Sequence, residues 1–275
     1  MEYIELSCTL RNDEGLQDIL IAQLGEIGFE SFVQEDETLQ AYIQGELYQE
    51  QLLKEIFAVK LFHDIPYMMT QIQDRNWNAE WESNYPFVLI DNRLMVRAPF
   101  HERNSNVEYD IVIEPKMSFG TAHHETTSQM LKLLLDEDVR GLKVLDMGCG
   151  TGVLAVLAMM RGAASVTAID NNEWAYENTV ENMKRNGIHD QTIIMGDASA
   201  LGADTFNLVL ANINRNILLK DMHCYFDCLS DGGKLFMSGF YEADLPAIKA
   251  EAIRLGMKFV NYISSNNWVA VVFTR

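Results

Sequence analysis

The chain is 275 residues long, 48% hydrophobic and 22% charged, with 21 basic against 40 acidic residues and a net charge of −19. At about 150 residues per domain, that length points to two unequal domains with ample apolar material for their cores. The acidic balance argues against direct nucleic-acid binding, which needs a basic face, and suits a basic protein partner. No apolar run nears the roughly 18 residues of a membrane span, and residues 1–5 lack the basic start of a secretory signal, so the expectation is a cytoplasmic chain with no membrane contact.

Residues 3–10 read as a strand, with Asn12 or Asp13 placed to cap the helix that follows. Leu16, Ile19, Leu20, Leu24 and Ile27 recur at helical spacing, and Gly28 is placed to end that helix. A strand over Phe29 to Val33, a strand near Leu39–Ile43, a helix from about Gly45 to Ala58 and a strand near Tyr67–Ile72 complete the segment. The order β-α-β-β-α-β predicts a small ferredoxin-like α+β domain over residues 1–74. It holds no cluster of His, Cys or paired acids, so its expected role is recognition of the substrate or packing.

Residues 75–125 read as a linker with edge strands. Trp77 and Trp81, four apart, fit aromatics packed under a short helix better than a stacking site. Phe87–Ile90 and Leu94–Arg97 flank Asp91-Asn92-Arg93, a hairpin signal, and Asp110–Ile113 is a further short strand. From 126 to 275 strands alternate with helices: strands at 143–147, 165–170, 191–196, 206–213 and 233–240, helices between them, then two strands near 257–263 and 267–274 separated by Ser264-Ser265-Asn266-Asn267. This predicts an α/β, Rossmann-like domain whose mixed sheet ends in a β-hairpin. Of the four cysteines (Cys8, Cys149, Cys224, Cys228), Cys224 and Cys228 share a helical face; with no Cys/His pair nearby they read as small apolar residues, not metal ligands.

The strongest motif is Asp146-Met147-Gly148-Cys149-Gly150-Thr151-Gly152, at a strand end opening a helix. Glycines there let the backbone turn tightly and approach a ligand. The G-x-G-x-G spacing departs from the dinucleotide fingerprint and suits a ligand that carries an ammonium and no phosphate. Asp170, ending the next strand, can accept both hydroxyls of a ribose, or is a solvated strand-end acid. Asp197, ending the third, can reach an adenine amino group, or is a turn residue. Asn212, ending the fourth, can offer its amide oxygen to an amine, or is the cap of the next helix. Polar groups at four neighbouring strand ends are where open α/β sheets bind ligands, and this set fits S-adenosylmethionine (AdoMet).

Ahead of that motif stands Phe119-Gly120-Thr121-Ala122-His123-His124-Glu125-Thr126-Thr127. Thr126 and Thr127 can cap the next helix, whose start would attract a carboxylate such as the methionine end of the cofactor. His123 and His124 with Glu125 form a possible acid–base set; adjacent histidines do not share a face, which argues against metal.

Here the chain resembles the PrmA family, which methylates the eleventh protein of the bacterial large ribosomal subunit. Its hallmark, F-G-T-G-x-H-x-T-T ahead of D-x-G-C-G-x-G-x-L, is similar to Phe119–Thr127 followed by Asp146 to Leu154, with Ala122 in place of a glycine and Glu125 in place of the usual proline. Trp77/Trp81 and Ala211-Asn212-Ile213 also look like family segments; the similarity covers essentially residues 76–275. The resemblance implies a methyltransferase domain behind a substrate-recognition domain, with AdoMet-contacting positions at Thr127, Gly148, Asp170 and Asn212. Asp146, Gly150 and Asp197 join them as cofactor-binding candidates from the residue reading. The expected acceptors are lysine side-chain or N-terminal amines of the ribosomal protein.

A lysine amine, with a pKa of about 10.4, must lose a proton before it can attack. No unique general base stands out; His124 and Asn212 are the catalytic candidates, Asn212 orienting and not deprotonating. Asn212-Ile213-Asn214 lacks the N-P-P-[YF] of glutamine or adenine N-methyltransferases. Competing readings are a methyltransferase of another protein or of a small-molecule amine, and a non-catalytic AdoMet-binding protein.

Overall fold

The computed structural model describes residues 3–10, 14–35, 37–72, 84–116, 118–189 and 191–275. Asn12, Asp13, Trp77 and Trp81, singled out above, lie outside them. The chain divides into two compact units, Met1–Tyr85 and Pro86–Arg275.

The first unit runs β1 (Tyr3–Thr9), α1 (Glu14–Glu26), β2 (Ser31–Glu35), β3 (Thr38–Gln44), α2 (Glu50–Ala58) and β4 (Tyr67–Ile72). Its sheet has the order β2-β3-β1-β4 with every neighbouring pair antiparallel, the ferredoxin-like arrangement. Period-two alternation places Leu6 and Cys8 of β1 and Leu39, Ala41 and Ile43 of β3 in one core with Leu20 and Leu24 of α1 and Leu53 of α2. The helix expected from Gly45 starts only at Glu50. Residues 45–47 form a turn closed by the Leu47 N–H on the Gln44 carbonyl (2.9 Å), and Gly45 is a poor helix former.

The second unit begins with β5 (Val88–Ile90), β6 (Leu94–Arg97) and β7 (Tyr109–Val112), a three-stranded sheet. The β5–β6 turn has Asp91 and Asn92 at φ 49° and 54°, the positive values that Asp and Asn tolerate. Residues 86–125, most of the segment read from sequence as a linker with edge strands, fall in the larger unit, and Ile90, Leu94, Val96 and Ile111 of those strands join its core. Then come α3 (Glu125–Asp136), β8 (Lys143–Met147), α4 (Val153–Met160), β9 (Ser165–Asp170), α5 (Glu173–Arg185), β10 (Thr192–Met195), β11 (Phe206–Asn212), α6 (Arg215–Cys228), β12 (Leu229–Tyr241), α7 (Leu245–Arg254), β13 (Lys258–Ser265) and β14 (Trp268–Thr274).

The main sheet has the order β10-β9-β8-β11-β12-β14-β13. The first five strands are parallel, and β14 enters antiparallel between β12 and β13. Both faces are buried. Val144, Ala168, Leu208, Leu210 and Phe236 face α3 and α4, while Leu145, Ile169, Val209, Ala211 and Met237 face α6 and α7. The order reverses between β8 and β11, so the carboxyl ends of these neighbours open a crevice, where a doubly wound sheet binds its ligand.

Candidate active site

A cavity of about 480 Å³ opens at these carboxyl ends, within the usual range for small-molecule sites. Of the residues predicted for the site, His124, Gly148, Gly150, Asp170, Asp197 and Asn212 line it.

The glycine loop follows β8. Gly150 has a φ of 58°, and a side chain there would run into the Phe119 carbonyl. The reason is a lacing between two loops: the Thr151 N–H donates to Phe119 O (2.9 Å) and the Thr151 hydroxyl to Gly120 O (2.6 Å). Glycine at 150 therefore permits two protein segments to touch. From α5, the Thr179 hydroxyl donates to Gly150 O (2.9 Å) and Asn182 Nδ2 to Thr151 O (2.9 Å). Asn178, Thr179 and Asn182 are fully buried, so the polar stripe of this helix braces the loop and does not face solvent.

Asp170 ends β9. Its Oδ2 accepts the Gly150 N–H and its Oδ1 the Asn172 N–H, each at 3.0 Å. It thereby ties the glycine loop to the start of α5, where Asn172 is the cap. Asp197 caps the short turn Ala198–Leu201: the Ser199 N–H and hydroxyl both donate to Oδ1, at 2.9 and 2.6 Å, and hold its pKa below the ordinary carboxylate value. Asp197 is both a turn residue and a cavity wall, so the two readings of its sequence position coexist.

Asn212 ends β11. Its Nδ2 donates to the Thr127 hydroxyl at 3.2 Å. Its Oδ1 is buried with no partner among the described residues, an uncommon state for an amide oxygen. The cap of α6 is Asn214, whose side chain accepts the Ile217 N–H (3.2 Å), so the capping alternative for Asn212 falls away.

Two candidates stand behind the wall. Thr127 is buried and reaches the cavity only through Asn212. Asp146 is buried, accepts the Ala155 N–H (3.2 Å) and so anchors the start of α4, whose capping position is a glycine. Loss of water pushes the Asp146 carboxyl up to about 7, the Ala155 bond opposes this, and the negative charge of Asp170 adds to it.

The threonine cap predicted for α3 is replaced by His124. Its Nδ1 accepts the Thr126 N–H (3.3 Å) and lies 2.9 Å from the Thr126 hydroxyl. Thr126 thus engages Nδ1, and Nε2 is the ring nitrogen left for any acid–base role. His123 turns elsewhere, to the Pro86 carbonyl (2.9 Å). Ala122, at the family's glycine position, has a φ of 68°.

Sequence reasoning missed Phe119 and Trp268 on the cavity wall, Tyr241 tilted against Trp268 with ring centres 4.0 Å apart, and Asp221 of α6. Phe119 stood in the quoted hallmark; Trp268 and Tyr241 carried no signal, because Trp268 meets His124, and Tyr241 meets Trp268, only through the insertion of β14. Of the predicted apolar pair, Cys228 is buried and Cys224 half-buried.

The cavity fits AdoMet on its own evidence. Asp170 offers carboxylate oxygens at the wall, the glycine loop brings backbone close, and the orphaned Asn212 oxygen awaits a donor.

Comparison with known proteins agrees. The profile of the family described as "Ribosomal protein L11 methyltransferase (PrmA)" matches residues 11–275. A protein named ribosomal protein L11 methyltransferase from Bacteroides fragilis is 48% identical over 99% of both chains. One of the same name from Phocaeicola vulgatus is 46% identical, again over 99% of both. A crystal structure described as ribosomal protein L11 methylase from Lactobacillus delbrueckii subsp. bulgaricus superposes with a TM-score of 0.65 at 25% identity, covering 70% of this chain and 99% of that one. The chain belongs to the ribosomal protein L11 methyltransferase (PrmA) family, a family of protein methyltransferases.

Proposed function

We propose that this protein transfers methyl groups from AdoMet to lysine side-chain or N-terminal amines of ribosomal protein L11 in the cytoplasm. The observation that carries the reading is the cavity itself, lined by Asp170, the glycine loop and Asn212, whose amide oxygen is buried without a partner among the described residues. Family membership supports L11 as the acceptor; another protein or a small-molecule amine is the alternative.

AdoMet supplies a methyl group on sulfonium sulfur, already activated toward an attacking lone pair. Asp170 would accept the ribose hydroxyls while holding Gly150. Asp197 would accept from the adenine amino group, and Gly148 and Gly150 would let backbone approach. Asp146 and Thr127 act at one remove, through the start of α4 and through the Asn212 amide.

The amine enters the half of the cavity walled by Phe119, His124 and Trp268. Partial removal from water lowers its pKa, so the amine gives its proton to bulk water as it enters and arrives neutral. The Asn212 Oδ1 accepts one amine N–H and points the nitrogen lone pair, so positioning supplies the catalysis. His124 contributes as wall and helix cap. The first unit recognises the protein substrate: residues 1–72 hold fourteen acidic against three basic residues, a charge that steers a basic partner and repels nucleic acid. Intact-mass analysis of purified L11 after incubation with enzyme and AdoMet tests the reading; L11 of unchanged mass beside a methylated alternative acceptor would sink it.

A further inference from the structure

The C-terminal hairpin reaches the cavity through anchors that methyl transfer itself does not call for. Asn266 and Asn267 have φ values of 50° and 65°, a tight turn that sets Ser265 opposite Trp268. At its tip, Asn266 Nδ2 donates to Glu125 Oε1 over 2.9 Å, and the Glu242 N–H donates to Asn267 O over 2.8 Å. Next along the chain, Gln129 Nε2 donates to the Trp268 carbonyl at 3.0 Å. Glu125 and Gln129 are one turn apart on α3, so a single helix face grips both the hairpin tip and the Trp268 backbone. The Trp268 ring then lies 4.7 Å from His124, edge on, and 4.0 Å from Tyr241.

Sheet order separates the two halves of the cavity. Asp197, Asp170 and the glycine loop arise from β10, β9 and β8; Asn212 and Trp268 arise from β11 and β14 on the other side. A disturbance at the hairpin tip therefore falls on the second half.

We infer that the Glu125–Asn266 bond is a positioning latch: it seats Trp268 on the cavity wall and so sets the affinity for the methyl-accepting substrate and not for the cofactor. This rests on the methyl-transfer reading above.

Glu125→Ala and Asn266→Gly each delete the bond, glycine preserving the positive φ of the turn. Glu125→Gln keeps an acceptor oxygen. In the full-length protein, KM for L11 should rise about three- to tenfold in each deletion and no further when the two are combined. Glu125→Gln should stay within about twofold of the parent, and AdoMet Kd by calorimetry should hold within about twofold throughout. Acrylamide quenching of Trp268 emission, isolated by subtraction of matched Trp268→Phe proteins, should increase in both deletions. KM unchanged while the melting temperature falls, or AdoMet affinity lost in step with KM, would overturn the latch. So would a Trp268→Ala variant with the parent KM. If the unaltered protein neither binds AdoMet nor methylates L11, the methyl-transfer reading has failed, and the quenching comparison alone decides whether Glu125 holds the hairpin.

Discussion

The Asn212 amide nitrogen and the Thr127 hydroxyl, 85 positions apart in the chain, are joined by a 3.2 Å hydrogen bond that leaves the opposite amide oxygen buried and partnerless among the described residues. Helix α3 thus aims a side chain that belongs to β11. Replacing Asn212 by Ala should lower turnover by about 10²-fold, as removal of one preorganised polar group does, while AdoMet affinity stays within about tenfold. Thr127→Val, which frees the amide to rotate, should fall between the two. Single-turnover rates beside calorimetry separate these effects; collapse of affinity with normal saturated turnover would make Asn212 a cofactor ligand only.

Asp170→Ala should weaken AdoMet binding by about 1.5–3 kcal/mol, the worth of a hydrogen bond to a charged group. The same change releases the Gly150 N–H, so Asp170→Asn, which keeps one acceptor oxygen, should lose less. Titration calorimetry showing equal affinity in all three proteins would remove Asp170 from the site.

Asp146 makes stability depend on pH. Its folded-state pKa of about 7 lies above the unfolded value of about 3.9, so the native chain holds the proton more tightly. Its contribution is fully present below about pH 4 and is lost as pH rises toward 7. Asp146→Asn retains an oxygen for the Ala155 N–H and does not titrate. It should gain on the parent by about 1.4 kcal/mol per pH unit between pH 5 and 7, read from urea midpoints. Parallel pH profiles would contradict a buried neutral acid.

Ala122 holds a left-handed conformation that costs an L-residue about 1–2 kcal/mol. Glycine there gives back part of this in chain entropy. Ala122→Gly should raise the melting temperature by about 1–4 °C; a lower value would mean that packing of the buried methyl outweighs the strain.

A chain beginning at Pro86 should keep AdoMet binding and lose methylation of L11. Its two apolar clusters draw on no residue of the first unit, whose own core lies between Leu6 and Phe62. With both units present, association with L11 should weaken as salt rises, because exposed charges are screened beyond about 8 Å. Unimpaired L11 methylation by the shortened chain would remove the recognition role from residues 1–85.

Much of this was legible in the sequence. Apolar strands alternating with helices located each element of the main sheet within a few residues, because a doubly covered parallel sheet needs both patterns in each unit of chain. Asp170, Asp197 and Asn212 were readable because strand ends of such sheets converge. The bracing asparagines of α5 were not: polar residues on a helix look like a solvent face until the loop they hold is in place. The His124 cap was hidden for a similar reason, since threonines are the commoner capping residues and the chain offered two.

The insertion of β14 between β12 and β13 also orders events in time. Among the described residues β13 has no sheet neighbour except β14. During vectorial synthesis residues 258–265 must therefore wait, edge unsatisfied, for residues 268–274 to emerge. By then β8, β9 and β10 can already have paired and presented Asp170 and the glycine loop. The nascent protein acquires the Asp170 half of its cavity first and the Trp268 wall later, so a ribosome that stalls before residue 268 carries a half-built pocket and no finished enzyme.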